Sequence, residues 1–539
     1  RSSMTARRAG FWTVGLALLL GAAHAPAAAD DVAAQLSRPE LPAPLEVVGT
    51  EPGPGRDAAS PTAEVAVAGL DLPLPPDVVV EVSAAAPAPL RAVADLPPEA
   101  PPAPLQLTLD DVLPGAIELR LADPKLPLPP KLAAKDRAAL TAVYAARGYR
   151  PLWVEGGAWS ARAVALATTL AGADAEGLDP ADYPVPRLQA GTTPLTASDL
   201  AEAELKLSAT AFLYARHARG GRLEPSRLSG MITPKLDLPS PEQVLAVLAE
   251  SPAPAEALAA FNPAYPGYRA LRTKLAELRA NRPVARLSGS PDAAKQAAMG
   301  AAPARLPKVT PARLEGDIIA NMERWRWLPA EVAPRHILVN IPEFRLRLMD
   351  QGEVRHEARV IVGKADTPTP LFTGRMDYAV VNPSWFVPPS ILKKQLAAGG
   401  SLKGFVVTQR GKTTTVRQPP GPTNALGYIK LMFPNDHAVY LHDTPARHLF
   451  GSGNRALSHG CVRVEQPFAL AGKIMGSAWT EEKLKKLIGW GERHINLAEP
   501  LPVHLGYFTV AIEPSGELRT FGDVYGHNRR VRTALGLGA

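Results

Sequence analysis

The single cysteine of this 539-residue chain stands in Ser458-His459-Gly460-Cys461-Val462-Arg463, and fifteen residues, 443–457, separate Ser458 from an earlier histidine, His442. A thiol with an ordinary pKa of about 8.5 is mostly protonated at neutral pH, so it needs a neighbouring imidazole to become an effective nucleophile. In Ala438-Val439-Tyr440-Leu441-His442 the alternation puts Val439 and Leu441 on one face of a strand and Tyr440 and His442 on the other. His442 therefore emerges at a strand end, a rigid mount for a base. Gly460 allows the tight turn that delivers the thiol. Backbone N–H groups of His459, Gly460 and Cys461 are suitably placed in sequence to hold a tetrahedral oxyanion. A carbonyl or carboxylate near Asp443 would orient the imidazole. The chemistry is acyl transfer or hydrolysis through a cysteine nucleophile, with the base ahead of the nucleophile, opposite to the papain order.

Other residues near this stretch carry weaker signals. His459 adjoins the cysteine, and neighbours in a tight turn point apart, so it is assigned to the turn or the oxyanion side. His448, in the intervening loop, reads as solvated. Ser458 supports the turn and reaches toward the thiolate. Arg463 could meet a substrate carboxylate or lie on a strand surface. Trp385 and Tyr428 could line a peptide groove or fill a β core. The plain alternative for Cys461 itself is a small buried hydrophobe.

The elements that must position these residues fall into blocks. Arg7-Arg8, the apolar run Phe11 to Ala23 and small residues up to Ala29 have the layout of a cleaved secretory signal, residues 1–29. An apolar run of about 13 residues is short of the roughly 20 that span a bilayer. Export would place Cys461 in an oxidising compartment, where an unpaired thiol needs a task. Residues 30–131, with runs such as Leu72-Pro73-Leu74-Pro75-Pro76, read as a disordered Pro/Ala-rich tether.

From 132 to 281 the pattern becomes helical. Asp136, Ser160 and Ser240 are expected at helix starts, Ser240-Pro241-Glu242-Gln243 as a capping box, and Asp199 just before a long amphipathic helix. His217, with its flanking arginines, reads as part of a solvated helix face. A linker at 282–312 leads to a catalytic domain at 313–530 and a tail at 531–539. Short strands with turns between them, beginning as an antiparallel meander at His336–Gly363, predict a mainly-β sandwich or barrel with two or three helices. The fold class is thus multidomain: a tether, an all-α helical domain, then a mainly-β catalytic domain.

Net charge of +7, with three arginines in the leader, suits an anionic envelope surface and leaves membrane proximity open. No basic run interleaved with aromatics appears, which argues against nucleic-acid binding.

At these residues the sequence resembles the L,D-transpeptidase family with a YkuD-like catalytic domain. His442, the fifteen-residue spacer, Ser458-His459-Gly460-Cys461 and Arg463 match that family's signature. Asn321-Met322-Glu323-Arg324-Trp325-Arg326-Trp327, Val362-Gly363-Lys364, Asn382-Pro383, Pro420-Gly421-Pro422 and Asp523-Val524-Tyr525-Gly526 look like its long, periplasmic YcbB-type subgroup.

The resemblance implies that the cysteine attacks the carbonyl between the third and fourth residues of a peptidoglycan stem tetrapeptide. D-Alanine would leave, and a diaminopimelate side-chain amine would resolve the thioester into a 3→3 cross-link. It also implies a periplasmic location, peptidoglycan stem peptides as partners, carbapenem sensitivity, and neither metal nor organic cofactor. Hydrolysis of the thioester and attachment of an envelope protein are variants of the same chemistry. A non-catalytic envelope scaffold is the alternative of another class. Two departures stand out: residues 282–312 are too short and Ala/Pro-rich for the small peptidoglycan-binding module common in the subgroup, and the insertion between Ser390 and Gly427 is short.

Overall fold

The computed structural model describes residues 107–129, 132–188, 195–281 and 310–538, apart from 398 and 412. The expected signal at 1–29, most of the tether and most of the 282–312 linker lie outside the described residues.

Helix ends in the first half follow side-chain capping. Thr196 and Asp199 form a capping box at Ala197–Gly220, and Ser240 and Gln243 form one at Pro241–Glu250. Ser160 caps Ala161–Ala171 by accepting from the Ala163 N–H. The long Ala197–Gly220 helix is buried on nearly every side, so it is the axis on which its neighbours pack. Inside it, Glu204 accepts from the N–H groups of Leu152, Trp153 and Val154 at 2.6, 2.9 and 3.0 Å and from the Tyr144 hydroxyl at 2.7 Å. A fully buried carboxylate is tolerated there because four donors replace its water.

Three sequence expectations are corrected. The tether does not run to 131: Leu109–Ala122 is a helix that buries Leu113, Ile117 and Leu121 in the helical core, with Thr108 and Asp111 as its capping box. Asp136 is not a cap; it lies within the first turn of Ala134–Ala146 and pairs with Arg216 at 2.7 Å. His217 is buried rather than solvated, with its Nδ1 2.8 Å from the Tyr183 hydroxyl.

The second half is a closed sheet. Strands β1 (Val154–Glu155) and β2 (Ala158–Trp159) form a small hairpin in the helical part. There follow β3 (Arg335–Asn340), β4 (Arg345–Asp350), β5 (Glu353–Gly363), β6 (Phe372–Val381), β7 (Trp385–Phe386), β8 (Val406–Arg410), β9 (Thr413–Gln418), β10 (Ile429–Met432), β11 (Leu441–His442), β12 (Ala456–Ser458), β13 (Val462–Val464), β14 (Arg493–Gly506), β15 (Val510–Ile512) and β16 (Leu518–Thr520). The order β5-β13-β11-β10-β6-β14-β3-β4 returns to β5, so the sheet has no free edge, and β12 adds a short parallel pairing to β5. Ile337, Val339, Leu346, Val360, Val381, Leu431, Leu441, Val462 and Val503 fill its interior.

The β3–β4–β5 meander is as expected. The parallel pairs β11/β13 and β14/β3 are additions. β14 starts at Arg493, absorbs Pro500 in a register shift and ends at Gly506, and a separate β15 follows it. The short insertion folds as the Pro389–Ala397 helix and the β7-β9-β8 sheet around Val387, Leu392 and Val416.

The helical and β parts share a core. Helices Pro266–Ala280 and Pro311–Trp325 bring Tyr268, Leu271, Leu275, Ile318 and Met322 together with Phe508 and Val510, and Trp325 stacks on Phe508 at 4.1 Å between ring centroids. Buried Glu323 accepts the N–H groups of Arg222 and Leu223 where the central helix has just ended. Thr233 reaches the β part as well: its N–H donates to the Leu371 carbonyl at 2.9 Å, and its hydroxyl lies 2.7 Å from His437 Nε2.

Candidate active site

The loop that launches β11 is stapled by one side chain. Asn435 donates to the carbonyls of Phe433 and Val439 and accepts from the N–H groups of His437 and Val439. Val439 and Leu441 then point into the core, while Tyr440 and His442 face the other way, as the alternation requires. β11 runs parallel to β13 with Leu441 beside Val462 and His442 beside Arg463; on its other side Lys430 of β10 stands opposite His442. The Val462 N–H donates to the Tyr440 carbonyl at 3.2 Å, which holds Cys461 alongside Tyr440. One face of three adjacent strands therefore gathers Lys430, Tyr440, His442, Cys461 and Arg463. Of these, Lys430 was not singled out in the sequence and Tyr440 was noted only for its face; the period-2 pattern of Ile429-Lys430-Leu431 was the available signal.

His442 is buried, and its Nδ1 lies 2.5 Å from the Asp443 main-chain oxygen. A carbonyl only accepts, so Nδ1 carries the proton and Nε2 keeps the lone pair, the tautomer a general base needs. The orienting group is thus the carbonyl of Asp443. Its carboxylate serves elsewhere: Oδ2 accepts from the Tyr428 N–H at 2.9 Å, and Arg447 lies 3.3 Å away. That contact leaves no room for a side chain at Gly427, whose φ is +61° and where a Cβ would sit 2.4 Å from the carboxyl group.

Burial, with the Arg463 and Lys430 charges, lowers the His442 pKa to about 3. Burial also pushes the Cys461 thiol up, against the opposing pull of the Tyr440 N–H and hydroxyl and of the Arg463 and Lys430 charges. The resting pair is therefore a neutral thiol and a neutral imidazole rather than a preformed ion pair. The thiol donates a long hydrogen bond, 3.8 Å, to the carbonyl of Ala438, a residue in the left-handed region at φ 52°.

The turn carrying Cys461 is held from inside. Ser458 Oγ donates to the Cys461 carbonyl at 2.6 Å and accepts from the Gly460 N–H at 3.1 Å. That occupied N–H corrects the expectation that Gly460 contributes an oxyanion donor; Gly460 instead supplies the φ of +122° that the turn requires. Thr369, fully buried, donates to the Gly460 carbonyl at 2.7 Å and accepts from the Gly363 N–H at 2.9 Å. The Tyr525 hydroxyl in turn donates to the Gly363 carbonyl and accepts from the Thr369 N–H. Neither Thr369 nor Tyr525 was legible as a site residue, because each acts through atoms far away in sequence.

His459 and His448 are exposed. Trp385 packs with Val387, Leu392 and Val416 in the small β7-β9-β8 sheet, and half-buried Tyr428 packs against the main core. Among the described residues no group of three or more His, Cys, Asp or Glu side chains could hold a metal ion.

Comparison with known proteins agrees with this architecture. Residues 138–275 match the family model described as a scaffold domain, and residues 334–484 match that of the L,D-transpeptidase catalytic domain, YkuD. A curated Haemophilus influenzae protein named "Putative L,D-transpeptidase" is 31% identical over 259 residues, which cover 42% of this chain and 52% of that protein. The chain thus spans about half the length of the curated relative it matches. Among solved structures, an L,D-transpeptidase from Mycobacterium smegmatis is 17% identical over 32% of this chain and 59% of its own, with a TM-score of 0.18. The catalytic domain of an E. faecium L,D-transpeptidase acylated by ertapenem is 15% identical over 32% of this chain and 98% of its own, with a TM-score of 0.16. Scores this low carry no argument, and the assignment rests on the sequence matches. Following its helical scaffold domain, the chain carries an L,D-transpeptidase catalytic domain of the YkuD family.

Proposed function

We propose that the chain is an exported, periplasmic peptidoglycan L,D-transpeptidase in which Cys461 is the nucleophile and His442 the base. The observation that carries this reading is the parallel pairing of β11 and β13, which sets His442 beside Arg463, two residues after Cys461, while the Asp443 carbonyl holds Nδ1 and leaves Nε2 unprotonated. The Cys461 thiol attacks the carbonyl between the third and fourth residues of a stem tetrapeptide, and its proton passes to His442 Nε2 during the attack. Tyr440 steadies the developing thiolate through its N–H and hydroxyl. Backbone N–H groups of His459 and Cys461 are the donors for the oxyanion, and Ser458 and Gly460 keep the turn in shape. The tetrahedral adduct collapses, the proton moves from His442 to the departing amine of D-alanine, and a thioester remains on Cys461. The side-chain amine of a neighbouring stem's diaminopimelate then displaces the thiol and forms the 3→3 cross-link.

Arg463, Trp385 and Tyr428 contribute to holding the peptide. No metal or organic cofactor enters the reaction, and membrane proximity would come through the N-terminal leader.

Muropeptide mass spectrometry on purified protein with tetrapeptide substrates tests the reading. Formation of 3→3 dimers by wild type and their loss in Cys461→Ala is expected. Dimers from Cys461→Ala, or none from wild type, would contradict it. Tripeptide without dimers indicates that water replaces the amine, and capture of a labelled lysine acceptor reveals attachment of an envelope protein. An intact mass unchanged under saturating carbapenem favours the non-catalytic scaffold.

A further inference from the structure

Residues 231–233 belong to the scaffold domain, yet they touch two segments of the catalytic domain that lead to Cys461. Ile232 is fully buried in the core of the closed sheet and bridges in parallel to Leu371. The Leu371 N–H donates to the Met231 carbonyl at 2.8 Å, and the Thr233 N–H donates to the Leu371 carbonyl at 2.9 Å. Leu371 follows Thr369 by two residues, and the Thr369 hydroxyl holds the Gly460 carbonyl, next to Cys461, at 2.7 Å. The Thr233 hydroxyl reaches the second segment, 2.7 Å from His437 Nε2. His437 directly precedes Ala438, whose carbonyl accepts from the resting Cys461 thiol at 3.8 Å.

The loop from Phe433 to Val439 is rigid within itself, because the Asn435 side chain binds four of its main-chain groups. Those bonds lie inside the loop, so its placement against the sheet depends on contacts that leave it. His437 makes two of them. Its ring packs on Phe372 with centroids 5.4 Å apart, an apolar contact that tolerates sliding, and the Thr233 hydroxyl supplies a directional one. Ala438 stands at φ 52°, a conformation that a residue with a side chain keeps only where its surroundings enforce it. Resting on the transpeptidase reading, we propose that Thr233 is a positioning residue for Cys461. By holding His437 it fixes the rigid loop, hence the Ala438 carbonyl, hence the direction from which the thiol begins its attack. The scaffold domain thereby completes the active site of the catalytic domain, and small losses of reacting geometry are expensive in rate.

A simpler role, docking of the two domains, makes a different forecast: it lowers stability and leaves the reactivity of folded molecules unchanged. The experiment measures acylation of Cys461 by a stem tetrapeptide in single turnover, read by intact mass on the full chain, beside a denaturation midpoint. Thr233→Val, which removes the hydroxyl and keeps the shape, should slow the acylation step about tenfold, the scale of one lost hydrogen bond, with the half-saturating peptide concentration unchanged. Thr233→Ser should restore most of the rate. His437→Phe keeps a ring against Phe372 without a nitrogen and should match Thr233→Val, and the double variant should be no slower than either single one. A lower midpoint with an unchanged acylation rate in Thr233→Val overturns the positioning role and leaves the transpeptidase reading standing. So does an equal loss of rate in the valine and serine variants, or losses that multiply in the double variant. Wild type that takes neither peptide nor carbapenem on Cys461 overturns the positioning role and the transpeptidase reading together.

Discussion

His442 Nδ1 is held by the main-chain oxygen of the next residue, Asp443, at 2.5 Å. The imidazole's tautomer therefore depends on backbone geometry and not on a carboxylate. Asp443→Asn should keep the acceptor for the Tyr428 N–H and lose less than about tenfold in kcat/KM. A triad carboxylate replaced by an amide would instead cost about 10⁴-fold. Asp443→Ala leaves the Tyr428 N–H unmatched in a tight site and should lower stability by about 1–3 kcal/mol. Steady-state kinetics and a denaturant titration on both variants separate the two effects.

The Cys461–His442 pair is neutral at rest, which shapes its pH dependence. With His442 lowered to about 3 by burial and adjacent cations, it is already unprotonated across pH 5 to 9 and contributes no limb near 6.5. The thiol is pushed above its ordinary value, so alkylation by iodoacetamide should rise with pH and level off only above about 8.5. Tyr440→Phe, which removes one donor to the thiolate, should move that rise to still higher pH. A rate already at its plateau at pH 6 would mean a preformed ion pair and contradict this account.

Glu323 ties the helical part to the β part. It accepts two main-chain N–H groups from residues 222 and 223 and lies beside the fully buried guanidinium of Arg326. Glu323→Ala strands both donors and leaves a buried positive charge without its neighbour, a loss of about 3–5 kcal/mol. Glu323→Gln keeps an acceptor and should cost less. Denaturant midpoints for the two variants test the order.

Stability should fall with acidification. His442, His504 and His527 are buried with pKa values lowered to about 3, 3 and 4 respectively. Below the unfolded value of about 6.5 the unfolded chain binds protons that the folded chain refuses. The folded state is therefore at full strength above about pH 6.5 and loses stability progressively toward pH 4. Thermal midpoints at pH 7.5, 6 and 5 should decline in that order, and a flat series would contradict the burial of these imidazoles as neutral groups.

The strand end at His442 and the turn before Cys461, on which the proposed base and nucleophile stand, were legible because each is carried by local pattern: a cysteine after a glycine, a histidine at a strand end, alternation along residues 438–442. The capped helices at Ser160 and Ser240 were legible for the same reason. What was hidden depends on distant partners. Pro-rich texture masked the Leu109–Ala122 helix, although Leu113, Ile117 and Leu121 carry helical spacing, because its stability comes from packing on Ala197–Gly220. His217 looked solvated beside two arginines until Tyr183, 34 positions away, covered it. Lys430 and Thr369 reach the site through strand register and tertiary packing; the alternation at residues 429–431 gives the face of Lys430 but not the neighbour it meets.

The most direct test of the central claim is the intact mass of the protein after incubation with a stem tetrapeptide, followed by mapping of the modified residue. A mass increase equal to the acyl tripeptide, located on Cys461, abolished in Cys461→Ala and strongly slowed in His442→Ala, is the predicted result. An unmodified wild-type protein, or an adduct on any other residue, would contradict it.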